Sequence, residues 1–206
     1  PLAQIKDKKM KRFISICLFV LAFIAAQTNN LKITVLSTMV ADYDYIGEWG
    51  FAALVESDGN QILFDTGFRK NTVLENADSL NIDLSKVEHV FLSHNHMDHA
   101  GGLKQLRKQL RKVNPNAMKN VHVGKGIFLD RWSNDKNRNT FKLFKKELED
   151  LGVVFIIHDK SEEIFPNVWT TGTVPRIHNE KNWSGYREMT INGKKVEDNI
   201  LEDQSL

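Results

Sequence analysis

Leu92-Ser93-His94-Asn95-His96-Met97-Asp98-His99-Ala100-Gly101-Gly102 is the stretch on which the reading of this chain turns. Three of the seven histidines fall within six positions, together with an aspartate. In an extended loop, residues two apart point the same way, so His94 and His96 can grip one metal ion from one side. Asp98 and His99 then turn toward a neighbouring position as the chain enters a helix, whose N-terminus favours a carboxylate. The plainer alternative makes Asp98 a helix cap and the histidines a polar loop. An i, i+4 zincin site is excluded, because His-Glu-x-x-His does not occur. Before the motif, Val87 to Leu92 reads as a strand; after it, Leu103, Leu106, Leu110 and Val113 form one helical stripe.

Working outward, Leu31 to Leu36 alternates apolar and polar residues as a half-buried strand does. Phe51 to Glu56 and Gln61 to Asp65 flank Ser57-Asp-Gly-Asn60, a hairpin with turn chemistry at its tip. Asn71 to Leu80 and Phe141 to Leu151 have helical spacing, the second closed by Gly152. Asn120 to Val123, Val153 to His158 and Val168 to Val174 read as strands. The pattern is that of one α/β domain without repeats or an obvious linker. At 206 residues, 41% hydrophobic and 26% charged, the chain is excluded from the collagenous, disulfide-stapled and wholly disordered classes.

The N-terminal segment stands apart. Lys6, Lys8, Lys9, Lys11 and Arg12 precede the apolar run Phe13 to Ala26, which stops at Gln27-Thr-Asn-Asn30. This run is shorter than the ~20 residues a spanning helix needs, and its order of charge, apolar core and small residues is that of an export signal. Residues 1–26 are therefore expected to be a signal peptide, with 1–9 a non-native extension before Met10, and 27–206 the domain. The protein is expected to be periplasmic or extracellular, meeting a membrane only through this segment. The sole cysteine, Cys17, lies inside it, so a metal site in the remainder must use His, Asp or Glu. Without residues 1–26 the chain has 23 basic and 25 acidic residues. That balance argues against a nucleic-acid partner.

With His94, His96, Asp98 and His99 in view, the sequence resembles the metallo-β-lactamase-fold superfamily, whose signature is His-x-His-x-Asp-His. Asp65, in Ile62-Leu-Phe-Asp-Thr-Gly67, matches the aspartate that supports the metal site in that family from behind the ligands; a turn aspartate before Gly67 is the plainer alternative. Trp49 to Glu56, Leu103, Thr171-Gly-Thr-Val-Pro-Arg176 and Glu202-Asp-Gln204 look like the branch related to ribofuranosylaminobenzene phosphate synthase. The resemblance implies an αββα sandwich with the metal cleft at one edge, here with its second half incomplete. It assigns His94 and His96 to one metal and Asp98 and His99 to a second. Asp98 would orient the nucleophile as the catalytic residue, and Asp65 would fix a ligand imidazole. Up to two zinc ions are implied, with iron or manganese as alternatives; zinc lowers the pKa of bound water to roughly 7.

Arg176 is a candidate phosphate or carboxylate clamp, with a surface arginine as the equal alternative. Members of the family complete the site with a third histidine and a further ligand from later segments. Here the chain stops at Leu206, and it is read as a C-terminally truncated fragment, expected to be poorly soluble and silent. His178 fits the substrate-loop motif better than a ligand role; His122 and His158 read as structural or exposed. Lys104, Arg107, Lys108, Arg111 and Lys112 form a basic stripe read as a solvated helix face. Tyr43, Tyr45 and Trp49 line the cleft mouth or cover the core. Three functions follow: a zinc hydrolase acting on a small, phosphorylated or ester substrate; a pterin-related synthase or transferase using the same cleft; and an inactive remnant.

Overall fold

Two turn residues with positive φ, Asp58 at 48° and Gly59 at 86°, close the hairpin that the sequence places at Ser57 to Asn60. The computed structural model describes residues 30–185 and 188–206; the expected signal peptide lies outside them. In chain order the strands are β1 (Leu31–Ser37), β2 (Ala52–Ser57), β3 (Asn60–Phe64), β4 (His89–Leu92), β5 (Asn120–Gly124), β6 (Arg131–Ser133), β7 (Lys136–Asn137), β8 (Val154–His158), β9 (Glu162–Phe165), β10 (Val168–Thr170), β11 (Glu188–Ile191) and β12 (Lys194–Glu197). The helices are α1 (Thr72–Ser79), α2 (Met97–Ala100), α3 (Leu103–Leu110) and α4 (Thr140–Asp150). No helix among the described residues is long and apolar enough to cross a membrane.

The main sheet has the order β1-β2-β3-β4-β5-β8. Its first three strands are antiparallel, and β3, β4, β5 and β8 run parallel. Alternation sends Leu54, Leu63, Val90, Leu92, Val121 and Val123 to one face. There they meet Val73 and Ala77 of α1, Leu103 and Leu106 of α3, and Phe141 and Leu148 of α4 in one buried cluster. β9 and β10 form a two-stranded sheet, and β12-β11-β6-β7 a four-stranded one. The result is a mixed α/β fold. Because the central strands are parallel, the segments after β3 and β4 leave the sheet at the same end, the usual place for a ligand site in such sheets.

Three expectations need correction. Val113 does not extend the buried stripe of α3: it is 75% exposed, because the helix ends at Leu110 and Pro115 follows. Arg107 is not part of a solvated face. It is buried, and its guanidinium donates to the carbonyls of Leu151, Pro115 and Ala117, capping α4 and the turn after α3. The strand expected to reach Val174 ends at Thr170, where Thr171 N–H bonds Ser205 O and Gly172 adopts φ 62°.

Candidate functional site

Asp65 follows β3 with a left-handed backbone, φ 56°, and is fully buried. Its carboxylate accepts from Ser93 N–H, Ser93 O–H and His99 Nδ1, each at 2.8 Å. Aspartate tolerates this φ better than most residues, and the strain points three donors at one carboxylate. Burial pushes the Asp65 carboxyl up, against these donors. A carboxyl accepting three hydrogen bonds has no proton of its own to place, so the proton sits on His99 Nδ1. The backbone adds to the seam: Thr66 N–H bonds His99 O, and Phe51 N–H bonds Asp98 O. Gly101 and Gly102 permit it, since a Cβ there would lie 2.3 Å from Phe68 O and 2.1 Å from Thr66 O.

The three imidazoles are gathered at one place. The His94 ring centroid lies 4.5 Å from that of His96 and 4.3 Å from that of His99. Each ring is oriented by a partner. Ser93 O–H donates to Asp65, so His94 Nδ1–H, 2.9 Å from Ser93 Oγ, is the donor in that pair. His96 Nε2–H donates to Ser184 O at 2.8 Å. These bonds leave the proton off His94 Nε2, His96 Nδ1 and His99 Nε2, as metal ligation requires. Asp98 Oδ2 lies 3.8 Å from His99 Nε2 and accepts the indole N–H of Trp49 at 3.1 Å.

Electrostatics keep two of these rings neutral. Burial, with His99, His96 and Arg131 nearby, drives the His94 imidazole down to about 2. Burial also lowers His96, against the Ser184 carbonyl and Asp98. Burial acts the same way on His99, but the hydrogen bond and charge of Asp65, with Asp98 and Asp203, outweigh it and raise that ring. Neutral imidazoles and a carboxylate suit a divalent transition metal in kind. Among the described residues, no group of three or more His, Cys, Asp or Glu is arranged to hold an ion. The donors match in chemistry and tautomer, and the cage is not closed.

A buried polar cluster carries the loop between the histidines; Glu202 and Gln204 belong to the stretch that resembles the synthase branch, but their pairing with Arg131, Asn95 and Leu92 has no local signature. Arg131, Asp198, Glu202, Asn95 and Asn139 are all essentially inaccessible. The Arg131 guanidinium pairs with Glu202 and, at 3.0 Å, with Asp198. With its amide oxygen toward Arg131 and its nitrogen toward Glu202, the Asn95 side chain bridges the ion pair at 3.2 and 3.1 Å. Asn95 lies between His94 and His96, so the clamp sets the loop that presents both rings. Gln204 completes it, donating its side-chain N–H to Leu92 O at 3.0 Å and its backbone N–H to Ser93 O at 3.1 Å.

The remaining sequence candidates are placed as follows. Arg176 donates to the carbonyls of Asn199 and Ile200 and to Asp203 at 3.0 Å. His178 is exposed and makes no ring contact with the three histidines. Of the aromatic residues before the hairpin, Trp49 joins the site. With Phe68, His96, Asp98, Trp183 and Ser184 it lines a cleft of about 300 Å³.

A model of the Metallo-beta-lactamase superfamily matches residues 50–178, more than half of the chain. The 7,8-dihydropterin-6-methyl-4-(beta-D-ribofuranosyl)-aminobenzene-5'-phosphate synthase of Methanocaldococcus jannaschii is 27% identical over 197 residues, covering 87% of this chain and 64% of the synthase. A solved structure described as a metal-dependent hydrolase of the beta-lactamase superfamily is 26% identical with a TM-score of 0.63, covering 85% of this chain and 60% of that one. A diphosphatase of the PhnP family shares the fold at 18% identity, with a TM-score of 0.50 over 78% of this chain and 62% of its own. The chain thus spans less than two thirds of the length of these proteins.

Proposed function

From the premise that the chain belongs to the metallo-beta-lactamase superfamily, we propose that it is a metal-dependent synthase-type transferase acting on a pterin-like ring and a phosphorylated aromatic second substrate. The observation that carries this reading is the similarity to the named synthase across 87% of the chain. The cleft supports it: Trp49 and Trp183 are 68% and 81% exposed beside His96 and Asp98, and flat apolar walls of this kind suit a planar heterocycle.

In this reading His94 and His96 hold one divalent ion, and Asp98 with His99 a second. When bound, the metal supplies Lewis acidity at the reacting oxygen. Zinc is the first candidate, iron and manganese the others. Asp65 holds His99 in its tautomer, the Asn95 clamp holds the loop, and Trp49 holds one oxygen of Asp98, leaving the other to orient the attacking group. Arg176 would take the substrate phosphate by exchanging it for Asp203. Export by the N-terminal segment and the lack of a nucleic-acid partner belong to the same proposal.

A hydrolase acting on a small phosphorylated substrate is the second reading, favoured by the solved hydrolase with a TM-score of 0.63. The test uses zinc-loaded protein with a dihydropterin bearing a leaving group on its 6-methyl carbon and a ribofuranosyl-aminobenzene 5'-phosphate. Mass spectrometry showing the joined product supports the transferase. Turnover of phosphoesters in water alone, with no joined product, replaces it by the hydrolase.

A further inference from the structure

Outside the metal loop, three more histidines form a continuous hydrogen-bonded row. His89 Nδ1 lies 2.9 Å from His122 Nε2, His122 Nδ1 lies 2.8 Å from His158 Nε2, and His158 Nδ1 lies 2.6 Å from Glu162 Oε1. The rings of His122 and His158 are inclined by only 9° with centroids 5.1 Å apart. A nitrogen separation of 2.8 Å is shorter than stacked rings allow, so the rings meet edge to edge, N–H to lone pair. The row crosses β4, β5 and β8 on the sheet face opposite the helices, and His122 and His158 are buried.

The carboxylate fixes every proton in the row. Glu162 accepts, so His158 carries its proton on Nδ1 and presents the Nε2 lone pair. His122 must then donate from Nδ1, and His89 likewise. The strand that supplies Glu162 also supplies Phe165, whose ring packs edge-on against His89 at 4.8 Å. The row is therefore the seat of β9, and through its partner β10 it reaches the metal loop. Thr170 O–H donates to Gln204 Oε1, and Gln204 holds Leu92 and Ser93.

We propose that this row is a proton-binding site whose occupancy decides whether the β9–β10 hairpin stays seated on the sheet. A proton taken up at His89 Nε2 makes that ring an imidazolium, which still donates from Nδ1 to His122. A second proton makes adjacent imidazoliums that cannot bond to each other. Glu88 acts on His89 from β4's own approach; Lys125 and Asp159 pair with each other at the end of β8; Glu163 accepts from Asn167 N–H within the hairpin.

The sign follows from burial. Burial, then the two neighbouring rings, lowers His122 to about 3, and burial lowers His89. The seated form binds fewer protons than the released one. Seating is complete above the free imidazole value of about 6.5 and is lost as pH falls from there toward 3.

Imidazole nitrogen NMR of the full chain at neutral pH should find His122 and His158 in the Nδ1–H tautomer. Between pH 7 and 4, hydrogen exchange corrected for its intrinsic rate should show protection in β9–β10 falling at least 10-fold, while β4 and β5 keep theirs. Glu162→Gln, at an exposed position, should shift that loss to lower pH; His122→Gln should flatten it. The Nε2–H tautomer at either ring would overturn the proposal. So would an acid loss that β4 and β5 share, or one that Glu162→Gln leaves in place.

Discussion

His99 donates its Nδ1–H to Asp65 Oδ2 at 2.8 Å across 34 positions of sequence, and the same oxygen accepts the Ser93 hydroxyl. One carboxylate thus orients a ring from each side of the motif, His99 directly and His94 through Ser93. Asp65→Ala removes the acceptor from three donors in a fully buried place. Loss of such a support typically weakens metal binding by about 10- to 100-fold, and the stranded donors cost about 1–3 kcal/mol each. Zinc titration beside a denaturant melt should show both effects. A folded variant with wild-type zinc affinity would mean that Asp65 does not govern the ligand rings.

His94→Ala with His96→Ala should remove one divalent ion per chain while leaving the circular dichroism spectrum in place. The two rings contribute to the polar loop rather than to the apolar cluster. Elemental analysis after dialysis against zinc checks it. Unchanged metal content would move the first ion elsewhere.

The sequence exposed those parts of the fold where residue type and period act locally. The Asp58-Gly59 turn and the leucines of α3 each encode their own element, and the histidine motif marks the candidate site by its spacing; β1 forms where its alternation places it, but Leu31, Ile33 and Val35 are exposed and not the buried face of a half-buried strand. The strands that were missed lack such a pattern. Lys194 to Glu197 is exposed throughout, and β6 and β7 have three and two residues. Of the clamp under the loop, Glu202-Asp-Gln204 was legible through the branch resemblance, but its pairings were hidden for another reason. Arg131 meets its carboxylates 67 and 71 positions away, and Trp49 meets Asp98 49 away. No local pattern records a pairing at that distance. His122 and His158, read as structural or exposed, proved to be buried and joined, because their strands are neighbours in space and not in sequence.

Gly102→Ala and Gly59→Ala separate close approach from backbone freedom. Gly102 has an ordinary helical φ of −77°, but a Cβ would stand 2.1 Å from the Thr66 carbonyl oxygen. Gly59 has φ 86° and nothing within 4 Å of its Cβ position. Alanine at 59 should cost about 1–2 kcal/mol, the usual penalty of a left-handed residue. Alanine at 102 should cost about 4 kcal/mol or more, because backbone must move. Urea melts of the two variants decide it, and equal losses would contradict the seam between Thr66 and the motif.

Arg131→Met tests the clamp and carries a pH signature. The guanidinium faces two inaccessible carboxylates, and removing one partner of a buried ion cluster typically costs about 3–5 kcal/mol. Burial already raises Glu202, while Arg131 pulls it down. Without the arginine the rise is larger. A carboxyl whose folded pKa lies above its unfolded value binds more protons when folded, so its stability contribution is present below the unfolded value and lost as pH rises through the folded one. The deficit of Arg131→Met should therefore be greatest near pH 7.5 and shrink toward pH 5. Arg131→Lys, which keeps the charge but not the fork, should fall between the two. Denaturant midpoints at three pH values measure this, with zinc affinity read on the same samples. Zinc binding should weaken with stability, because Asn95 loses the partner that holds it between His94 and His96. A deficit independent of pH would show that Glu202 does not depend on Arg131 for its charge, and the clamp would then act by packing alone.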